Sequence, residues 1–282
     1  MTTIRSARRS LLFTPANRPT LFVKALGSGA DMVCVDLEDS VAPDQKTAAR
    51  QDALNFLKIG GSPERVVRIN HPDTSDGMND LSELVDSGLK QGIILLPKVD
   101  NDTQILKLAE LLDKSRVQLG LAVLIESVAG VENIYSIIKA VPKLEFVMFG
   151  GADLALELGT QVAMEPLAYG RSRLVYACRQ SNIDVFDMPC LHFRDLNTVR
   201  SEADYARLLG FTGKAVIHPT NLEPVHMAFT PSSSEVEEAR RVIEAFRNNM
   251  TGVTSLDGKL VEKPVVRAME LILARARAAG LN

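Results

Sequence analysis

The chain has 282 residues, 46% hydrophobic and 24% charged, with a formal net charge of −3. This is long enough to bury a substantial core and ordinary for a globular protein. The slight negative balance gives no basis for a nucleic-acid groove or an anionic membrane surface, although Arg5, Arg8, Arg9, Arg18 and Lys24 leave room for a local anion site. No apolar run reaches membrane-spanning length, and "FTPANRP" ends the first apolar piece too early for a signal peptide. Cys34, Cys178 and Cys190 are scattered in or near apolar segments, as expected of buried free thiols in a reducing, cytoplasmic compartment.

Eight β-type segments follow one another along the chain: residues 10–15, 32–39, 65–70, 92–99, 118–127, 144–151, 184–189 and 214–219. Their middles are continuous apolar runs, the pattern of parallel strands covered on both faces. Helical spacing lies between them. Ala49, Ala53, Phe56 and Leu57 share a face after Pro43, as do Ile105, Leu108, Ala109 and Leu112 within 101–114. Ile134, Ile137 and Ile138 mark 131–140, a glycine stop closes 201–210, and "DLSE" (80–83) reads as a capping box. Eight strands alternating with helices favour a TIM (β/α)₈ barrel over a doubly wound open sheet, which would also bury apolar strands. The segments end on Glu38, Asp39, Arg68, Asn70, Lys98, Glu126, Asp153, Asp187 and His218, at the mouth where such barrels place their chemistry. Residues 1–230 are assigned to the barrel and 231–282 to a short C-terminal helical extension that packs on the barrel or on a neighbour. Ser234 and Glu237 are expected to box its first helix, residues 247–260 are turn-rich, and 263–280 form a terminal helix.

Glu126 and Asp153 follow adjacent strands and can offer oxygen ligands to a hard divalent ion, with Gly150 and Gly151 allowing close backbone approach. Each also has a local alternative, Glu126 starting the helix of 127–139 and Asp153 capping a turn. Arg68 can bind a carboxylate through its planar fork, or serve an internal ion pair with Glu38 or Asp39. Glu38 is the better acid to support Arg68 or metal-bound water, with Asp36 inside the barrel or structural. The four histidines lack zinc spacing, so magnesium is preferred. His218 is either a ligand contact or a satisfied structural histidine. Neither a dinucleotide fingerprint nor a Walker loop is present.

Taken in order, "RRSLLFTPANRP", "GADMVCVDLEDSV", "VVRIN", "LLPKV", "VLIESVAG", "FGGADLALELG", "AVIHP" and "SLDGKLVEKPVVRAMELILARA" resemble the citrate lyase beta subunit-like acyl-CoA lyases of the HpcH/HpaI aldolase superfamily. The resemblance covers nearly the full chain. It implies a TIM barrel, magnesium, and cleavage or formation of a carbon–carbon bond beside a coenzyme A thioester. The implied metal ligands are Glu126 and Asp153, and Glu126 would also contact the substrate. Arg68 would be the substrate-binding arginine, and Arg9 would lie near the acyl-CoA. A C-terminal acid from an adjacent subunit corresponds to Glu262, where the coenzyme A lyases commonly have aspartate. The implied partners are an acyl-CoA, a small 2-oxo acid and further copies of the chain, a trimer if the tail caps a neighbour's site. (3S)-Citramalyl-CoA is the favoured substrate. Malyl-CoA cleavage, a citrate lyase beta subunit acting on a carrier-bound citryl thioester, a malyl-CoA thioesterase, and a non-catalytic acyl-CoA-binding scaffold are the alternatives.

Overall fold

The computed structural model describes residues 7–141, 144–248 and 252–281; Arg5 of the basic cluster and part of the 247–260 segment lie outside them. The chain divides into two compact units, one spanning Arg8–Val225 and one that begins at His226 and takes in Ala7. The boundary thus falls a few residues before the expected position 230, inside the helix Leu222–Phe229 (α9).

In the first unit, β1 (Ser10–Pro15), β2 (Met32–Asp36), β3 (Glu64–Arg68), β4 (Ile93–Leu96), β5 (Gly120–Ile125), β6 (Leu144–Phe149), β7 (Asp184–Asp187) and β8 (Gly213–Val216) form a closed barrel in sequence order. Every pairing is parallel, and β8 returns to β1 with Lys214 opposite Ser10. Closure is the feature that excludes the open sheet. Alternate residues of each strand meet inside the barrel, where Leu11, Met32, Cys34, Leu95, Leu124 and Phe146 belong to one buried cluster. Phe146 and Phe186 meet edge to face at 5.1 Å. The two-residue period that buries 32 and 34, 66, and 122 and 124 carries Asp36, Arg68 and Glu126 to the next inward positions, at the carboxyl ends of their strands. A β/α barrel therefore turns strand periodicity into a ring of polar groups.

The helices around this barrel are α1 (Thr20–Leu26), α2 (Lys46–Lys58), α3 (Ser75–Asp86), α4 (Asp102–Asp113), α5 (Val128–Ala140), α6 (Gly151–Glu157), α7 (Ala168–Ser181) and α8 (Leu196–Leu209). Asn101 and Gln104 form the capping box of α4, and Ser127 caps α5 by accepting from Gly130 N. The "DLSE" box is a correction. Thr74 caps α3, and Asp80 lies mid-helix, accepting from Arg50 Nε at 2.6 Å and Asn70 Nδ2 at 2.7 Å. A buried cationic partner draws that carboxylate away from any capping role.

The other unit contains α10 (Ser233–Arg247), the antiparallel pair β9 (Val253–Leu256) and β10 (Lys259–Glu262), and α11 (Lys263–Ala278). The capping box of α10 is Ser232 with Glu235, two residues ahead of the expected pair. The turn-rich segment contains a hairpin whose Asp257-Gly258 turn has φ of 51° and 76° at its two central positions, a geometry favoured by Asp-Gly. Val242, Ile243, Val261 and Val266 form this unit's own small core. Among the described residues, no helix is long and apolar enough to cross a membrane. The three cysteines are free and buried.

Candidate active site

A cavity of about 310 Å³ opens among the carboxyl ends of the barrel strands. Its polar lining includes Asp36, Asp39, Ser40, Arg68, Glu126 and Asp153, while Phe13, Leu124, Met148, Met188, Leu191 and Ile217 supply apolar wall. Strand ends distant in sequence thus bring the expected metal pair and Arg68 into one site.

Arg68 ends β3 opposite Asp36, the last residue of β2. Its Nε donates to Asp36 Oδ1 at 2.7 Å and its Nη2 to Oδ2 at 2.8 Å, a two-pronged pairing that a lysine cannot make. Arg68 Nη1 lies 2.8 Å from Glu38 Oε2 and 3.6 Å from Asp39, and the guanidinium carbon is 5.5 Å from the Phe13 ring centre. Burial opposes the charge on Asp36, but hydrogen bonds and attraction from Arg68 outweigh it and hold the carboxyl below its ordinary range. Burial likewise disfavours charge on Arg68, and the pairing with Asp36, Glu38 and Asp39 overcomes it, so the guanidinium remains ionised. The expected internal pair with Glu38 or Asp39 is present, but the principal partner is Asp36, which the sequence left as structural. Glu38 does not line the cavity; it acts through Arg68 and through Lys98, whose Nζ donates to Oε1 at 2.7 Å. Lys46 supports the loop behind them by donating to the carbonyls of Leu37 and Glu38, each at 3.1 Å.

Glu126 is 6% exposed and follows β5 directly, one residue before the cap of α5, so it does not begin that helix. Its Oε1 accepts from Lys98 N at 2.9 Å. Burial, together with the negative charges of Glu38 and Asp153 and against the attraction of Arg68, pushes its pKa up to about 8. Asp153 stands in the first turn of α6, behind the turn that ends β6. Gly150 makes the approach feasible: a Cβ there would come within 2.4 Å of Glu126 Cβ and 2.8 Å of its Oε2. A Cβ on Gly151 would meet Met188 Sδ at 2.3 Å. A buried carboxylate that resists ionisation among other carboxylates is a donor set suited to a cation. The oxygen chemistry fits magnesium, which keeps several waters and takes one or two protein carboxylates. Among the described residues, no group of three or more His, Cys, Asp or Glu able to hold a metal occurs.

Other expected residues lie elsewhere. Arg9 precedes β1, at the opposite end of that strand from the cavity, and pairs with Asp31 at 2.8 Å. Its assignment to the acyl-CoA is therefore corrected: the parallel topology puts residues before a strand on the amino-terminal face. The arginine of that motif on the cavity side is Arg18, exposed in the turn after β1. Asp187 is also withdrawn from the site. It is buried against Arg171 at 3.0 Å and the fully buried Lys214 at 2.8 Å. His218 caps a short turn through Thr220 N and stacks on Phe193, contacts that account for it without a ligand. Glu262 ends β10 in the C-terminal unit. The residue that sequence reading undervalued most is Lys98. Its position after the "LLP" strand end was visible, but its contacts to residues 28 and 60 positions away were not.

A model of the HpcH/HpaI aldolase/citrate lyase family matches residues 9–219, and one described as a C–C bond lyase of the TIM-barrel fold matches residues 170–281. The chain is 34% identical over 277 residues to a (3S)-malyl-CoA thioesterase of Cereibacter sphaeroides, covering 96% of this chain and 95% of that protein. It is 33% identical over 300 residues to an L-malyl-CoA/beta-methylmalyl-CoA lyase of the same species, covering 95% and 94%. The crystal structure of CitE from Mycobacterium tuberculosis in complex with magnesium, acetoacetate and coenzyme A aligns with a TM-score of 0.83 at 31% identity, over 97% of this chain and 98% of that one. With the closed barrel and the acid-and-arginine cavity at its strand ends, these matches establish that the chain belongs to the HpcH/HpaI aldolase/citrate lyase family, whose enzymes cleave carbon–carbon bonds.

Proposed function

We propose that this protein is a magnesium-dependent carbon–carbon lyase that cleaves (3S)-citramalyl-CoA to acetyl-CoA and pyruvate. The observation that carries the lyase reading is the convergence of Glu126, Asp153 and Arg68 on one cavity. Magnesium held by the two carboxylates would polarise the hydroxyl carbon that becomes a ketone. Arg68, kept charged and oriented by Asp36 and Glu38, would bind the substrate carboxylate and oppose the negative charge that develops there. Loss of the hydroxyl proton breaks the adjacent C–C bond, releasing the 2-oxo acid and a thioester enolate that protonation converts to acetyl-CoA. Glu262 is proposed as the acid near that enolate, contributed by an adjacent subunit of a homo-oligomer, with a trimer the proposed number. The cytoplasm is the proposed compartment.

The substrate choice rests on the resemblance to free-standing acyl-CoA lyases; the cavity also has apolar wall from Phe13, Leu124 and Met148 that a methyl group could meet. A single methyl changes affinity by only about 1–3 kcal/mol, so malyl-CoA remains a competing substrate to be measured. The similarity to a malyl-CoA thioesterase supports a second reading, hydrolysis of the thioester with the acyl carbon chain intact. Product analysis with malyl-CoA, citramalyl-CoA and citryl-CoA, with and without magnesium, separates these. Pyruvate from citramalyl-CoA is the expected result. Free coenzyme A with an uncleaved hydroxy acid would establish thioesterase activity, and absence of any 2-oxo acid from all three substrates would overturn the lyase. Activity restricted to a carrier-bound citryl thioester, with co-purifying subunits, would indicate a citrate lyase complex. Binding of magnesium and acyl-CoA without turnover would indicate a scaffold.

A further inference from the structure

We infer that Lys98 is a positioning residue whose left-handed main chain aims Glu126 at the metal, while its ammonium holds Glu38 against Arg68. The inference rests on the reading of Glu126 as a magnesium ligand. Lys98 lies just after β4 with φ of 53°. Among the described residues, three that are not glycine have positive φ: Lys98, Asn182 and Asp257. Asn182 caps the end of α7, and Asp257 sits in the β9–β10 turn; short polar side chains of this kind tolerate the left-handed region. Lysine gains no such local compensation, so its conformation must be held by other contacts.

The observed contact is with the site. In this geometry the Lys98 peptide N–H donates to Glu126 Oε1 at 2.9 Å. The donor belongs to the backbone and cannot swing away as a side chain can, so one carboxylate oxygen is held while Oε2 stays on the side of Gly150. From the same residue, Nζ reaches Glu38 Oε1 at 2.7 Å, and the other oxygen of Glu38 lies 2.8 Å from Arg68 Nη1. Lys98 thus touches the support of both the metal carboxylate and the substrate arginine. Its side chain is 45% exposed, so filling a core is not its role.

Isothermal titration with magnesium chloride alone separates the main-chain contribution from the charge. Lys98→Gly and Lys98→Asn permit the left-handed region and are expected to keep magnesium affinity within about threefold of the parent. Lys98→Val and Lys98→Thr disfavour it and are expected to lose about tenfold or more, with thermal unfolding confirming that each variant is folded. In turnover, Lys98→Gly should raise KM about tenfold with kcat nearly unchanged, and Lys98→Arg should restore it by replacing the cation. Equal magnesium affinity in all four variants, or equal loss in all four, overturns the inference. A parent protein that binds no magnesium overturns the metal reading itself, so the two failures are distinguishable.

Discussion

Replacing Glu126 with glutamine removes the ionisation while keeping nearly the same shape. Burial and the nearby charges of Glu38 and Asp153 raise the folded-state pKa from 4.5 to about 8. Between these values the native chain retains a proton that the unfolded chain has released, so the stability of metal-free protein falls as pH rises. The slope is about 1.4 kcal/mol per pH unit, or about 5 kcal/mol across the full interval. Urea unfolding in the presence of a chelator, from pH 4 to pH 9, measures it. Parent and Glu126→Gln should match near pH 4.5, and the variant should become progressively more stable up to about pH 8. Titrating groups remote from Glu126 are common to both proteins and cancel in the difference, leaving Glu126 and its coupled neighbours Glu38 and Asp153. Magnesium must displace the same proton, so parent affinity should rise about tenfold per pH unit below 8 and then level, while the variant binds weakly throughout. A parent–variant difference that does not change with pH refutes the assignment of Glu126 as the buried, proton-holding carboxylate.

Three further outcomes are expected. Arg68→Lys cannot reproduce the two-pronged bond to Asp36, which is 3% exposed; it should raise KM at least about tenfold and cost about 1–3 kcal/mol in urea unfolding. Gly150→Ala drives a methyl to within 2.4 Å of Glu126 Cβ, and calorimetric titration should show magnesium affinity lowered by about tenfold or more. Glu262→Gln should lower kcat at unchanged magnesium affinity. If a neighbour supplies that acid, mixing and reassembling the impaired Glu126→Gln and Glu262→Gln subunits should raise activity above that of either alone, and failure to do so would refute the contribution of Glu262 from an adjacent subunit.

The reach of sequence reading followed the physical origin of each feature. All eight barrel strands were legible because parallel strands buried on both faces need unbroken apolar runs, such as "VCV" in β2 and "AVLI" in β5. α7 was not identified because its inward face includes Gly170 and the buried Arg171, which interrupt the apolar period. The hairpin was read only as a turn-rich stretch because four-residue strands give little alternation to detect. In the site, Glu126, Asp153 and Arg68 were visible as polar residues at the ends of apolar runs. Asp36 was undervalued because its importance comes from lying opposite Arg68 in the β2–β3 register.

The sequence by itself determined the strand rhythm, the family and the chemical types offered at the barrel mouth, because local periodicity and motif order carry that information. Only tertiary structure decided that the sheet closes, that Asp36 holds Arg68, that Lys98 presents its peptide to Glu126, and that Arg9 belongs to the opposite face. Each of these depends on strand direction and register between segments far apart in the chain. Spacing along a single strand leaves those relations open, whereas barrel closure brings each side chain to a definite neighbour.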